Sequence, residues 1–224
     1  MILSLETWQI TLFTLAVGLA STVVILPFGI ALAWLFARKE WPLKSALETV
    51  VLLPLVMPPV STGLILLRIF GRRSPLGQWL YDRGVEIVFN WKGVLIAMAV
   101  MSLPLLVRSV RTSFSEVNPR LEQIAATLGA SGLRIFFVIT VPLAYKGIVA
   151  GALLAFSRAL GEFGATILLA GNIPGRTQTL SLAIFTFVQT GKDTDAYTLL
   201  GITVVLAFVF VWCSERLLRS AKRA

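Results

Sequence analysis

The chain has 224 residues, 57% hydrophobic and only 14% charged, with net charge +9, no histidine and one cysteine; its mean hydropathy is +0.85. Soluble domains are about 45–50% apolar and about 25% charged, so a soluble fold of this length cannot hide so much apolar surface. The lone Cys213 excludes an intrachain disulfide, and the lack of Cys/His clusters argues against a metal site of that type.

The apolar runs set the elements. No Asp, Glu, Lys or Arg lies between Glu6 and Arg38, between Glu48 and Arg68, or between Asp195 and Glu215, giving charge-free runs of 31, 19 and 19 residues. A membrane-spanning helix needs about 20 mostly apolar residues. The first span is placed at 8–36. It is too long for the apolar core of a signal peptide and has no charged leader, so it reads as a retained span. Further spans are expected at 47–67, 94–111, 147–170 and 197–217, which makes five transmembrane helices in one membrane domain covering 1–224. The run 177–191 is uncharged but only 15 residues long, and it reads as a short helix at the outer face.

Pro27, Pro54, Pro58, Pro59 and Pro104 fall inside apolar runs. Each removes a backbone donor and bends its helix. Bent spans suit a transporter, but membrane helices also tolerate proline for packing alone. Trp8, Trp34, Trp41, Trp79, Trp91 and Trp212 all fall near predicted span ends or in connections, where indole favours the headgroup level.

Lys and Arg set the expected orientation. The N-terminal segment has neither, and the first connection holds Arg38, Lys39 and Lys44. That places the N-terminus outside. The C-terminus, with Arg216, Arg219, Lys222 and Arg223, is then cytoplasmic. Arg72 and Arg73 in the second connection run against this bias. Facing outside, they would meet an acidic partner, draw in an anion, or contact headgroups.

The third connection, 112–145, carries the most information. Asn118 is a good N-cap and Pro119 a good first helical residue. Leu121, Ile124, Ala125 and Leu128 recur at helical spacing, and Gly129 ends the pattern. The expected helix, 119–128, has one apolar face. Such a face docks into a partner's groove or packs on the chain's own spans, and the pattern does not choose between these.

The same stretch reads Gln123-Ile124-Ala125, three residues, Gly129, nine residues, then Ile139-Thr140-Val141-Pro142. It resembles the cytoplasmic signature of bacterial ABC importer permeases: EAA, three residues, Gly, nine residues, Ile-x-Leu-Pro. Gln123, Ile124 and Val141 depart from that signature. The resemblance implies an all-α integral membrane protein of the ABC type-1 permease fold. It also implies that Asn118, Pro119, Leu121, Glu122 and Leu128 belong to a coupling helix seated on a separate ATP-hydrolysing subunit.

Further segments are similar to molybdate permeases. They include Glu122, Ala125 to Ala130, Arg134-Ile135-Phe136-Phe137, Gly71-Arg72-Arg73, Leu80-Tyr81-Asp82, and Ser157-Arg158 leading into Leu160-Gly161-Glu162-Phe163-Gly164. Asn172-Ile173-Pro174-Gly175 continues the similarity. The implied partners are a second copy of the chain, an ATPase dimer and an extracytoplasmic oxyanion-binding protein. Sulfate, tungstate or another oxyanion is the alternative cargo.

Arg158 and Glu162 lie inside the fourth expected span. An ionised residue at mid-membrane costs about 2.5–3.5 kcal/mol on the insertion scale. Spacing i, i+4 lets the two pair. They either line the pathway, with Arg158 offsetting a dianion's charge, or form an ion pair that fixes helix packing. Gly147 and Gly151, like Gly161 and Ala165, have the small-xxx-small spacing of close helix approach.

The chain has no G-x-x-x-x-G-K-[ST]; Gly191-Lys192 is followed by Asp193. No Ser or Cys stands beside a base. The expectation is a non-catalytic subunit that binds no cofactor, with ATP used by its partner. A self-sufficient secondary transporter is the alternative class, but such folds often carry internal repeats, and none is visible here.

Overall fold

The computed structural model describes residues 5–222, with side chains through residue 219. Arg223 and the side chain of Lys222, both assigned to the basic tail above, lie outside the described residues. All regular structure among the described residues is helical.

Helix α1, Leu5–Arg38, is 34 residues long and about 50 Å from end to end. Thr11, Thr14 and Thr22 donate their hydroxyls to carbonyls of the preceding turn at 2.8–2.9 Å, so an apolar helix carries them at little cost. Next come α2, Lys44–Val56, and α3, Pro59–Phe70. They meet at 114°. The single span expected at 47–67 is therefore a bent pair. A residue before proline avoids the helical region. Met57 and Pro58 accordingly sit extended (ψ 146° and 130°), and Pro59 opens the new helix.

A short α4, Pro75–Tyr81, follows in the second connection, capped by Ser74, whose hydroxyl accepts from the Gly77 N–H at 2.8 Å. Helix α5, Trp91–Glu116, is the third span and is longer at both ends than the expected 94–111. Beyond it lie α6, Pro119–Thr127, and α7, Gly132–Ile135. A π-helical turn, Phe136–Thr140, joins α7 to α8, Val141–Leu160. After a break come α9, Gly164–Ala170, α10, Leu180–Gln189, and α11, Asp193–Lys222.

The fourth span was expected at 147–170. The helical path instead begins at Gly132 and stops at Leu160. The apolar residues beyond the break form α9, which packs on α3. The stretch between the two long helical paths is 117–131, within the connection expected at 112–145. The long helices Leu5–Arg38, Trp91–Glu116, Gly132–Leu160 and Asp193–Arg219 are long and apolar enough to cross a membrane, and the bent α2–α3 pair makes a fifth if counted as one span. Within 177–191 the structure forms the short helix α10, which buries Leu180, Leu182, Ala183 and Phe187 rather than lying on a surface.

The core sits between α1, α5 and α8, around Phe36, Leu106, Val110, Phe114 and Ile148. Gly147 and Gly151 face Ser113 and Ser109 of α5, the close approach that their spacing predicts. Gly161 and Ala165 do not share a helix, because the chain breaks between them. Trp34 packs edge-on against Phe136 at 5.5 Å and Trp41 stacks on Phe36 at 6.1 Å. These two indoles serve the core edge, whereas Trp8, Trp79, Trp91 and Trp212 are exposed.

The α3–α9 contact is tight. A Cβ at Gly63 would lie 2.8 Å from the Ala165 Cα and 3.0 Å from its carbonyl oxygen. A Cβ at Gly164 would lie 2.8 Å from the Pro59 Cβ. Gly63→Val must push these backbones apart at a cost of about 2 kcal/mol. The thermal midpoint of the purified protein in detergent is expected to fall by about 4–8 °C. An unchanged midpoint would mean that α3 and α9 do not pack this way.

The ends of the helices define two sides. Arg38, at the end of α1, reaches Glu122 on α6. Asn118 and Leu121 share a groove with Glu215 and Arg219 near the end of α11. The C-terminal ends of α1, α5 and α11, the start of α8, and α6 thus lie together. On the opposite side the N–H of Phe89, a residue at φ 57°, donates to the Leu169 carbonyl at 3.1 Å and ties the second connection to α9.

Candidate functional site

The sequence motif converges on α6 and the residues flanking it. Asn118 is extended at ψ 117°, and its Oδ1 accepts from the Arg120 N–H at 3.0 Å. Pro119 takes the first helical position, where no donor is needed. Gly129 has φ 84°, a conformation open to glycine at no steric cost. Its N–H donates to the Ala126 carbonyl, and that of Ala130 to the Ala125 carbonyl, both at 3.0 Å. This paired arrangement is the Schellman closure of a helix. The helix ends at Thr127, with Leu128 as its C-cap, one residue earlier than the pattern predicts.

No residue of α6 is buried. Leu121 is 44% exposed, Ile124 57% and Leu128 82%. The chain's own spans therefore leave much of the apolar face uncovered. Gln123 is exposed and Ala125 half-buried. The second half of the motif lies elsewhere: Ile139 is in the π-helical turn and Pro142 is the second residue of α8. The signature thus marks both a surface helix and the root of the span that follows it.

Glu122 joins these two halves. Its Oε2 lies 3.1 Å from the Arg38 Nε, and its Oε1 accepts from the same nitrogen at 3.2 Å. The buried Thr140 hydroxyl donates to Oε1 at 2.7 Å. Arg38 also donates through Nη2 to the Val117 carbonyl at 2.9 Å. Sequence reasoning put Glu122 on the helix but did not find Arg38, which lies 84 positions away. It also missed the ion pair between Arg111 and Glu48, at 3.0 Å, which ties α5 to α2.

Arg158 and Glu162 do pair, at 2.9 Å, but not midway along a continuous helix. Arg158 lies two residues before the end of α8, and Glu162 lies in the break. Glu162 is 1% exposed, and its Oε1 accepts from the Ala165 N–H at 2.9 Å. It therefore caps the first turn of α9 while its other oxygen holds Arg158. On the far side, Arg72 bonds Glu86 at 3.1 Å and its guanidinium stacks 3.7 Å over Tyr81; Arg83 lies 3.8 Å over Trp79. Arg73 is exposed beside them. Among the described residues no group of three or more His, Cys, Asp or Glu could hold a metal ion.

An exposed capped helix between two spans, rooted by a glutamate, sits in a chain whose residues 8–221 match the family described as binding-protein-dependent transport system inner membrane component. The chain belongs to that family. It is a multi-pass inner-membrane protein. It is 46% identical over 224 residues to the molybdenum transport system permease protein ModB of Escherichia coli (strain K12), covering 99% of this chain and 98% of that one. It is 44% identical over 204 residues to the protein of the same name from Haemophilus influenzae, covering 90% and 89%. Among solved structures it resembles a bacterial alginate ABC transporter crystallised in complex with an alginate pentasaccharide-bound periplasmic protein. That match has TM-score 0.74 at 18% identity and covers 97% of this chain and 80% of that one. At that identity the likeness bears on the fold.

Proposed function

We propose that this chain is the membrane-spanning permease subunit of an ATP-driven molybdate importer. The observation that carries the reading is α6: a capped amphipathic helix with no buried residue between the third and fourth spans. It occurs in a chain that aligns along its length with a molybdenum transport permease. Two copies enclose the pathway. Two ATPase subunits dock on the two α6 helices, and an extracytoplasmic oxyanion-binding protein docks on the opposite side.

The N-terminus is outside and the C-terminus cytoplasmic. Arg38, at the start of the basic first connection, and Arg219, near the end of α11, lie on the side of α6, in keeping with the positive-inside bias. Arg72 and Arg73 then face outward, toward the binding protein or its anion. ATP is bound and hydrolysed by the partner, and closure of the ATPase pair moves α6 and alternates the spans between inward- and outward-open states. This chain supplies binding surfaces and motion but no covalent chemistry. Arg158 and Glu162 have a packing role. Glu162 is buried and both its oxygens are engaged, one by Arg158 and one by the Ala165 N–H, which turns it away from cargo.

Cargo is tested by uptake of labelled molybdate into proteoliposomes that hold the permease, its ATPase and its binding protein. Saturable uptake that tungstate competes and a hundredfold excess of sulfate does not is the expected result. Equal competition by sulfate would make this a general oxyanion permease.

A further inference from the structure

We propose that Glu122 is a positioning residue that transmits displacement of α6 to both α1 and α8, through Arg38 and Thr140. This rests on the reading of α6 as the ATPase-docking helix and names how its movement enters the membrane.

A helix that buries none of its residues is joined to the bundle mainly by its ends. Both ends are turns: extended Val117 and Asn118 on one side, and Gly129 at φ 84° on the other. Turns alone would let α6 swing without moving the spans. Glu122 is what stiffens the joint. One carboxylate holds the last residue of the first span and the last residue of the π-helical turn that roots the fourth span. Arg38 reaches past it to the Val117 carbonyl, so the same guanidinium fixes the hinge between α5 and α6. The side chains of Arg38 and Glu122 are only 13% and 19% exposed. Charge-assisted bonds shielded in this way are roughly twice as strong as neutral ones, and a guanidinium holds its partners in a fixed plane.

The π-helical turn gives the fourth span a site able to respond. Turns of this kind are rare and are frequent at functional positions. Thr140 closes the turn with its hydroxyl aimed at Glu122 rather than at its own helix. A pull on α6 thus acts on the root of α8 and the end of α1 together.

The test uses the complete complex of permease, ATPase and binding protein in proteoliposomes, comparing wild type with Glu122→Ala, Arg38→Ala, the double variant and the swap Arg38→Glu/Glu122→Arg. Alanine is the best helix former, so α6 and its docking face survive the substitution. The expected result for Glu122→Ala is normal recovery of the ATPase subunits, ATP hydrolysis within twofold of wild type, and molybdate transported per ATP reduced at least fivefold. Arg38→Ala should match it, the double variant should be no worse than either, and the swap should regain at least half of the lost coupling. Wild-type transport per ATP in Glu122→Ala would overturn the proposal. So would loss of ATPase recovery in both single variants without rescue by the swap, since Glu122 would then only hold the fold. If Ile124→Asp leaves ATPase binding intact, the docking reading fails instead, whatever Glu122 does.

Discussion

Ile124→Asp is expected to remove at least 90% of ATPase recruitment while membrane insertion and yield of the permease stay unchanged. Ile124 is 57% exposed on a helix with no buried residue, so the substitution leaves the fold alone. Burying an Ile side chain in a partner's groove contributes about 1.5–3 kcal/mol, and placing a carboxylate there adds a desolvation cost. Together these exceed about 3 kcal/mol, or roughly a hundredfold in affinity. Leu121→Asp should behave alike. Gln123→Ala, also exposed but polar, should change recruitment by less than threefold. Co-purification of the ATPase with tagged permease from membranes reads this directly. Full recovery with both aspartate variants would show that α6 is not the docking element.

Glu162→Ala is expected to be the most destabilising substitution of a charged residue. It removes the acceptor for the Ala165 N–H and leaves Arg158 without its partner. Removing one member of a buried pair costs about 3–5 kcal/mol, and the lower end applies because the Arg158 side chain is 28% exposed. A loss of about 3 kcal/mol lowers the thermal midpoint by about 6–12 °C for a protein of this size. Arg158→Gln separates packing from cargo handling. A packing role predicts a lower midpoint and lower complex yield, with normal transport per assembled complex. Normal yield with transport cut severalfold would place Arg158 on the pathway instead.

The sequence made α6 legible because its signals are local. Asn118, Pro119 and Gly129 each act within one or two turns of the backbone, and each takes the expected conformation. Which way the apolar face points was not legible, since periodicity gives a stripe and not its neighbour. The bend between α2 and α3 was signalled by Pro58 and Pro59, but an apolar run fixes length and says nothing of direction. The fourth span slid for a related reason. Its root carries Phe137 and Val138, both more than 60% exposed, and apolar residues lie on both sides of the break at 161–163, whose Glu162 reads in sequence as the i, i+4 helical partner of Arg158. Composition cannot mark a break when lipid-compatible residues lie on both sides. The Arg38–Glu122 and Arg111–Glu48 pairs join residues far apart in sequence, and only the packed helices bring them together.

Use of ATP separates an importer subunit from a secondary transporter. Proteoliposomes containing the permease, with the binding protein and labelled molybdate outside, can be prepared with and without the ATPase subunits and with ATP or a non-hydrolysable analogue inside. Accumulation against a gradient only when ATPase and hydrolysable ATP are both present is the predicted result. Accumulation by the permease alone, driven by a proton or sodium gradient, would contradict the account and make the chain a secondary transporter.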